Sequence, residues 1–394
     1  MVLSLREASR AFMPYPDVAV AARPTGPLAG LSLAVKDLFD VAGYPTSAGQ
    51  PLMLARSGLK SAHAPLVQTL LDAGASFVGK TVTDELAFSL QGQNMHFGQP
   101  VNAAAPQRLT GGSSSGSASA VAHGLCDFAL GSDTGGSIRA PASHCGLYGM
   151  RPTHGRISLA GAHPLAPSLD AAGWFTRDLP TFIRVAEVLL GQGARNSPVR
   201  LIAPTELWGL LSAEVAEALQ PACTRLERVA GPMLRQSVLN HSAEDLSLAF
   251  RQTQGWEAWQ SNGDFVTRLQ PVMEPGVSQR LKWSSTVSRA DYDAAQQVRH
   301  SLRDHLARLL GDDGVLVMPS MPDVAPRVED TEADLEAYRA ASLRMLCVSG
   351  LTGFPQFSLP WARRLESPLG VSLLASAGQD ELLMGLARQV EQAG

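Results

Sequence analysis

Along the chain the spacing of apolar positions switches repeatedly between the period of a strand and the period of a helix. Leu31, Leu33 and Val35 alternate with small residues and predict a strand that closes on Lys36, just before Leu38 and Phe39. The run SAHAPLVQTLLDAG, from Ser61 to Gly74, sets Leu66, Leu70 and Leu71 on one helical face, with Ser61 as N-cap and Gly74 as the stop. SFVGK then reads as a strand, TVTDELAFSL as a helix, TRDLPTFIRVAEVLLG as another helix and VRLIAP as a strand. Further on, Ser288 and Asp291 form a capping box that opens a helix through Leu310, and GVLVMPSMP gives a buried strand. The C-terminal stretch adds a helix, two strands and a closing helix. Alternation of this kind predicts an α/β fold with a buried central sheet, and no internal repeat interrupts it.

Other stretches are less regular. Residues 1–30 read as a short helical lead-in broken by Pro14, Pro16, Pro24 and Pro27. SAEVAEALQPACTRLERVAG is an amphipathic helix interrupted at Pro221, and 242–262 is a helical pattern ending in Trp256 and Trp259. Trp256, Trp259, Phe265 and Trp283 could line a pocket, but their irregular spacing is that of core aromatics, and no function is assigned to 190–290.

Composition narrows the function. With 45% hydrophobic and 17% charged residues among 394, the chain is globular with a large core. Its 32 Lys+Arg against 36 Asp+Glu give a net charge of −4 without a basic stripe or acidic tail, which argues against nucleic acid and anionic membranes as partners. A small-molecule substrate is the expectation. Cys126, Cys145, Cys223 and Cys347 lie far apart with no zinc-type spacing, so reduced buried thiols and no metal are expected. The N-terminus carries Arg6, Glu7 and Arg10 where a signal peptide would be apolar, and no window of about 18 apolar residues exists, which points to the cytoplasm.

The stretch Leu109–Met150 concentrates the chemistry. Two Gly-Ser turns, each opening into a helical pattern, flank a short apolar strand containing Phe128, Ala129 and Leu130. A flexible linker would not carry that strand. A phosphate-binding loop needs a lysine after its last glycine, and none follows Gly116. Gly112 to Gly116 does match G-x-S-x-G, which would make Ser114 the nucleophile, but that motif must follow a strand and AAAPQRL is a poor one. The remaining arrangement uses both turns. Ser113 and Ser137 each follow a Gly-Gly pair, and the intervening helix and strand would return the chain to the same end of the sheet. Successive N–H groups at Thr134, Gly135, Gly136 and Ser137 suit the oxyanion of a tetrahedral intermediate, so acyl transfer is the implied reaction class.

A serine nucleophile needs a base. His144 and His154 lie near the turns in sequence, so a histidine-dependent triad is one arrangement. Lys36 is the other. A lysine at the end of an apolar strand is ordinarily solvated, and at pH 7 an unperturbed one is neutral in roughly one molecule in 2,500. Burial lowers that pKa and would make the amine useful.

GGSSSGSASAVAHG followed by LGSDTGGSIRAPASHCGLYGMRPTHGRIS resembles the signature sequence of the amidase signature family, and AVKDLFDVAG resembles its lysine segment. The likeness continues in SFVGKTVTDELAF, VLVMPSMPDVAP, GLTGFPQFSLP and PLGVSLLASAGQDELLM, so it spans most of the chain. It implies a single amidase domain over residues 1–394 whose large, twisted, mixed sheet is covered by helices on both faces. A signature core would occupy 31–180, a reduced variable region 190–290, and C-terminal strands and a helix 314–394. The resemblance further implies a Ser–cis-Ser–Lys triad of Lys36, Ser113 and Ser137, with a cis Gly112–Ser113 bond and an oxyanion hole at Thr134 to Ser137. Gly112, Ser114, Asp133 and Arg139 would brace the two turns, and no cofactor or metal is implied. The run NMHFGQP and the pairing of GGSSSGSA with WFTRD resemble indole-3-acetamide hydrolases and short bacterial relatives, which suggests a small, aromatic or apolar primary amide with Gln91, Gln93, Asn94 and Met95 as pocket candidates. A monomer or homodimer is expected. The glutaminase subunit of an amidotransferase and a catalytically silent binding protein on the same fold are the alternatives.

Overall fold

In the computed structural model, which describes residues 3–393, ten strands form one mixed sheet that draws on most of the chain. They are β1 (Ser32–Lys36), β2 (Ser76–Thr81), β3 (Phe128–Asp133), β4 (Tyr148–Arg151) and β5 (Ala171–Thr176), then β6 (Arg200–Pro204), β7 (Leu234–Gln236), β8 (Gly314–Pro319), β9 (Gln356–Arg364) and β10 (Ser367–Leu374). Their order is β2-β1-β3-β5-β4-β9-β10-β8-β6-β7. Parallel pairing holds at β2-β1-β3 and at β8-β6-β7, while the strands between pair antiparallel. All six residues of β3 are buried, as expected of a strand covered on both faces.

Aromatic packing ties the covering helices to the sheet. Phe182, from the helix Leu179–Leu190, stacks between Trp174 of β5 and Phe357 of β9 with ring centroids 4.7 and 4.6 Å apart. Each ring is fully buried, and truncating one such side chain costs about 3–5 kcal/mol.

Most of the expected elements form, and the capping box at Ser288 opens a helix over Arg289–Leu310. Three expectations are corrected. The helix after Ser61 begins only at Pro65, on an Ala64 cap without a side-chain bond, because the proline presets the first helical turn. Pro221 does not interrupt the helix Ala213–Ala230: its buried face runs on through Leu219, Ala222, Cys223 and Leu226, and that burial outweighs one missing N–H. TVTDELAFSL is not a helix. It holds one short 3-10 turn at Glu85–Ala87, with Leu86 and Ala87 at positive φ, because its polar groups are committed to distant partners. Asp84 N–H and Thr83 Oγ1 both donate to Ser113 O, at 3.1 and 3.0 Å, and Glu85 Oε2 accepts from Glu274 N at 2.8 Å.

Candidate active site

Since β1 and β3 run parallel, in register Val35 opposite Leu130, their C-terminal ends emerge on the same edge of the sheet. Lys36 closes β1, while Ser132 and Asp133 close β3. The helix Ser115–Ala122 lies against them, and its small side chains permit close approach: Ser117 Oγ donates to Leu130 O at 2.7 Å, and Ser114 Oγ to Ser132 O at 3.1 Å. Ser114 is therefore held by β3 backbone, as a bracing residue would be and a free nucleophile would not.

Lys36 is not the solvated strand end that its position suggests. The side chain is fully buried, and Nζ donates to Ser113 Oγ at 2.7 Å and to Ser132 Oγ at 2.9 Å. Burial pushes its pKa down to about 7, against the opposing charges of Asp84, Asp133 and Asp170. Both histidine candidates are engaged elsewhere. His144 Nε2 meets Tyr338 Oη at 2.9 Å with its pKa pushed down to about 3 by burial and Arg108, and His154 Nε2 lies 3.0 Å from Pro167 O.

Ser113 follows a cis peptide bond from Gly112, and both residues are buried. Glycine is required there, since a Cβ on Gly112 would sit 2.0 Å from Asp84 Oδ2. Asp84, which the sequence reading overlooked, is fully buried beneath this turn, and its Oδ2 accepts from Gly92 N at 2.9 Å. Burial raises its pKa, and Oδ1 has no hydrogen-bond partner.

The second turn is held by Asp133. Its carboxylate accepts from Gly136 N at 2.9 Å, Ile138 N at 3.1 Å, and Arg139 Nε and Nη2 at 2.9 and 2.8 Å. Arg151 Nη1 reaches Oδ1 at 3.3 Å, and Arg139 extends to Leu346 O and Gln356 Oε1 at 2.8 and 2.6 Å. Burial alone would raise the Asp133 pKa, but the two guanidinium groups and the amide donors outweigh it and hold the carboxylate below its ordinary range. Among the four N–H groups expected to converge, that of Gly136 is taken by Asp133. Those of Thr134, Gly135 and Ser137 make no hydrogen bond among the described residues. Gly136 adopts φ +123°, and a Cβ there would lie 2.4 Å from Leu346 Cδ1.

Ser137 is 3% exposed and lines a recess with Ser89, Leu90, Gly135, Gln254, Arg339 and others. No hydrogen bond joins it to Ser113 among the described residues. Through Ala87 the recess adjoins a cavity of about 250 Å³ lined by Leu38, Ser132, Thr134, Leu159, Leu165 and Asp170 among others. On the other side it shares Phe88, Gln254 and Arg339 with a cavity of about 530 Å³.

Of the four suggested pocket residues, Gln91 lines the larger cavity. Asn94 is structural: its Nδ2 donates to Gly49 O and Thr83 O, both at 2.8 Å, and its Oδ1 accepts from His96 N and Phe97 N. Gln93 bonds Gln99, and Met95 is more than half exposed. Trp283 does line the larger cavity, whereas Trp256 packs against Tyr292. Ser132 and the cavity arginines also went unnoticed in sequence. Ser132 could have been found as the residue beside Lys36 on a parallel neighbour; the arginines sit on helices without a motif.

The amidase family model matches residues 3–208 and 211–384. The chain is 37% identical to Amidase 1 of Arabidopsis thaliana, over 91% of this chain and 92% of that protein. It is 31% identical to a glutamyl-tRNA(Gln) amidotransferase subunit of Methanospirillum hungatei JF-1, over 93% of each. A solved amidase structure superposes with a TM-score of 0.87 at 31% identity, covering 99% of this chain and 94% of that one. With these relatives and the two turns built as described, the chain belongs to the amidase signature family and is an amide hydrolase.

Proposed function

We propose that the protein cleaves the C–N bond of a small carboxamide through a serine acyl-enzyme, giving a carboxylate and ammonia or an amine. Ser137 Oγ attacks the carbonyl carbon; its proton passes to Ser113, and the Ser113 proton passes to neutral Lys36. The oxyanion is received by the N–H groups of Thr134, Gly135 and Ser137, with Gly136 held in place by Asp133. Collapse breaks the C–N bond, and the proton returns from Lys36 through Ser113 to the leaving nitrogen. Water then hydrolyses the ester by the same relay.

One observation carries this reading: Lys36 is buried, lies 2.7 Å from Ser113 Oγ, and has a pKa pushed down to about 7. The cavity walled by Leu38, Ala87, Leu159, Ala162 and Leu165 supports an apolar or aromatic portion of the substrate. Cys126, Cys145, Cys223 and Cys347 are all buried and unpaired, which supports a reducing compartment such as the cytoplasm. No helix among the described residues is long and apolar enough to cross a membrane.

Ser137→Ala is the test. Ammonia release from a panel of primary amides should fall to background, and labelling by a fluorophosphonate should disappear from the Ser137 peptide; robust turnover by the variant would refute the assignment. Absence of labelling in the wild type would favour a silent binding protein. The similarity to a component of an amidotransferase supports a second reading, a glutaminase that needs a partner. Turnover by the isolated chain separates the two.

A further inference from the structure

The larger cavity, about 530 Å³, is lined by three arginines and three glutamates, charged groups that an apolar amide does not need. Three helices each contribute an arginine: Arg251 from Ala243–Leu269, Arg280 from Pro275–Ser284 and Arg339 from Glu332–Thr352. Burial and the nearby Arg339 charge push the Arg280 pKa down to about 10, and the same influences lower that of Arg251. Their mutual repulsion is offset in part by Glu274 and Glu336, which form ion pairs with Arg280 and Arg339 in the same wall.

Protein carboxylates do not complete this set. Glu274 uses both oxygens on the start of its own helix, accepting from Gly276 N at 3.1 Å and Val277 N at 3.0 Å. Glu336 accepts from Arg339 Nε at 2.9 Å and is half exposed. Glu332 also lines the cavity, and no arginine pairs with it among the described residues. Arg280 stands 3.8 Å from both Glu274 and Glu336, beyond hydrogen-bond range. Its side chain is 10% exposed and its Nε donates to Phe88 O at 2.7 Å, yet Nη2 has no hydrogen-bond partner. Arg251 has no carboxylate partner among the described residues; its guanidinium lies 5.0 Å over the ring of Trp283. A planar carboxylate suits such unfilled donors, since one guanidinium binds both of its oxygens.

We propose that this cavity binds a carboxylate carried by the substrate away from the scissile bond. The substrates are then amides with an anionic group, held by Arg280 and Arg251, with Arg339 standing between that group and the Ser137 recess. An apolar portion can still occupy the cavity at Leu38, on the opposite side of Ser137. The inference rests on the hydrolase reading given above.

The test compares glutaramate, a five-carbon amide with a terminal carboxylate, with the uncharged pentanamide, and N-acetyl-β-alanine with N-propylacetamide for a carboxylate on the amine side. In at least one pair the charged member should show the lower KM. Arg251→Gln and Arg280→Gln should each raise that KM by about 10- to 100-fold, the loss expected for one charge-assisted hydrogen bond, and leave KM for the neutral member within twofold. Glutarate alone should quench Trp283 fluorescence saturably in the wild type and not in Arg251→Gln. The inference is overturned if glutarate does not bind saturably, or if amides are hydrolysed without charge preference and the arginine variants behave alike on both members. Loss of all amide turnover with glutarate still bound would refute the hydrolase reading instead.

Discussion

The pH dependence of turnover tests the role of Lys36 most directly. Only the neutral amine can accept the Ser113 proton, so kcat/KM should rise with pH and level off above about 7, where burial places the Lys36 pKa. An ordinary lysine at pH 7 is neutral in roughly one molecule in 2,500, whereas here half the molecules would be, a gain on the order of a thousandfold in competent enzyme. Below the midpoint the rate should fall tenfold per pH unit. The assay is ammonia release from a neutral primary amide between pH 5 and 9, for the wild type and for Lys36→Ala and Lys36→Arg. Arginine keeps its charge throughout this range, so Lys36→Arg should lose about 10²- to 10⁴-fold, the usual contribution of a positioned base, and should show no acid limb near 7. A wild-type profile flat from pH 5 to 9, or a Lys36→Ala variant that keeps both rate and limb, would refute the assignment. His144 could not explain such a limb, because its pKa is pushed down to about 3 and its ring is bonded to Tyr338.

Three further outcomes follow from the same geometry. Ser132→Ala removes the second hydrogen bond that orients Lys36 Nζ and should lower kcat by about two- to tenfold with KM little changed, as measured by steady-state kinetics. Asp133→Ala leaves Arg139 and Arg151 buried without their shared carboxylate and should destabilise the protein by about 3–5 kcal/mol in urea unfolding; a shift under 1 kcal/mol would mean that the network is not structural. Gly112→Ala forces a methyl group into the space of the Asp84 carboxylate and should cost about 1–3 kcal/mol together with most of the activity, where wild-type behaviour would show that the turn can move.

How far the sequence revealed the site depended on where each partner lies. Ser113 and Ser137 stand in one glycine-rich stretch whose chemistry is local, and the apolar run before Lys36 predicts its strand, whereas the burial of the amine depends on β3 and the Ser113 turn packing over it. Tertiary commitments were invisible. Nothing in TVTDELAFSL indicates that Thr83 and Asp84 will bind the Ser113 carbonyl, so helical spacing prevailed in the reading although not in the fold. Gly136 looked like one more oxyanion donor, but the carboxylate that captures its N–H belongs to Asp133, three residues earlier, and side-chain direction cannot be read from spacing. The arginine-lined cavity takes one arginine from each of three helices within 243–352, a convergence that only packing creates.

The two buried lysines of the sheet sit in different surroundings. Lys80, at the end of the neighbouring strand β2, is equally buried, but its Nζ lies 2.6 Å from Asp37 Oδ1 and donates to Pro45 O and Thr46 Oγ1. Burial lowers its pKa as it does that of Lys36, but the Asp37 carboxylate in direct contact opposes the shift. Lys36 Nζ touches two hydroxyls and has no carboxylate within ion-pair distance among the described residues. Asp133, close enough for its charge to raise the Lys36 pKa, is taken by Arg139 and Arg151. Those arginines therefore act on both halves of the site: they fix the Gly135–Gly136 turn and keep from Lys36 the counter-ion that would lock it in the charged form. Freeing the Asp133 charge would raise the Lys36 pKa and move the acid limb of the rate profile to higher pH, even with every group of the proposed relay still in place.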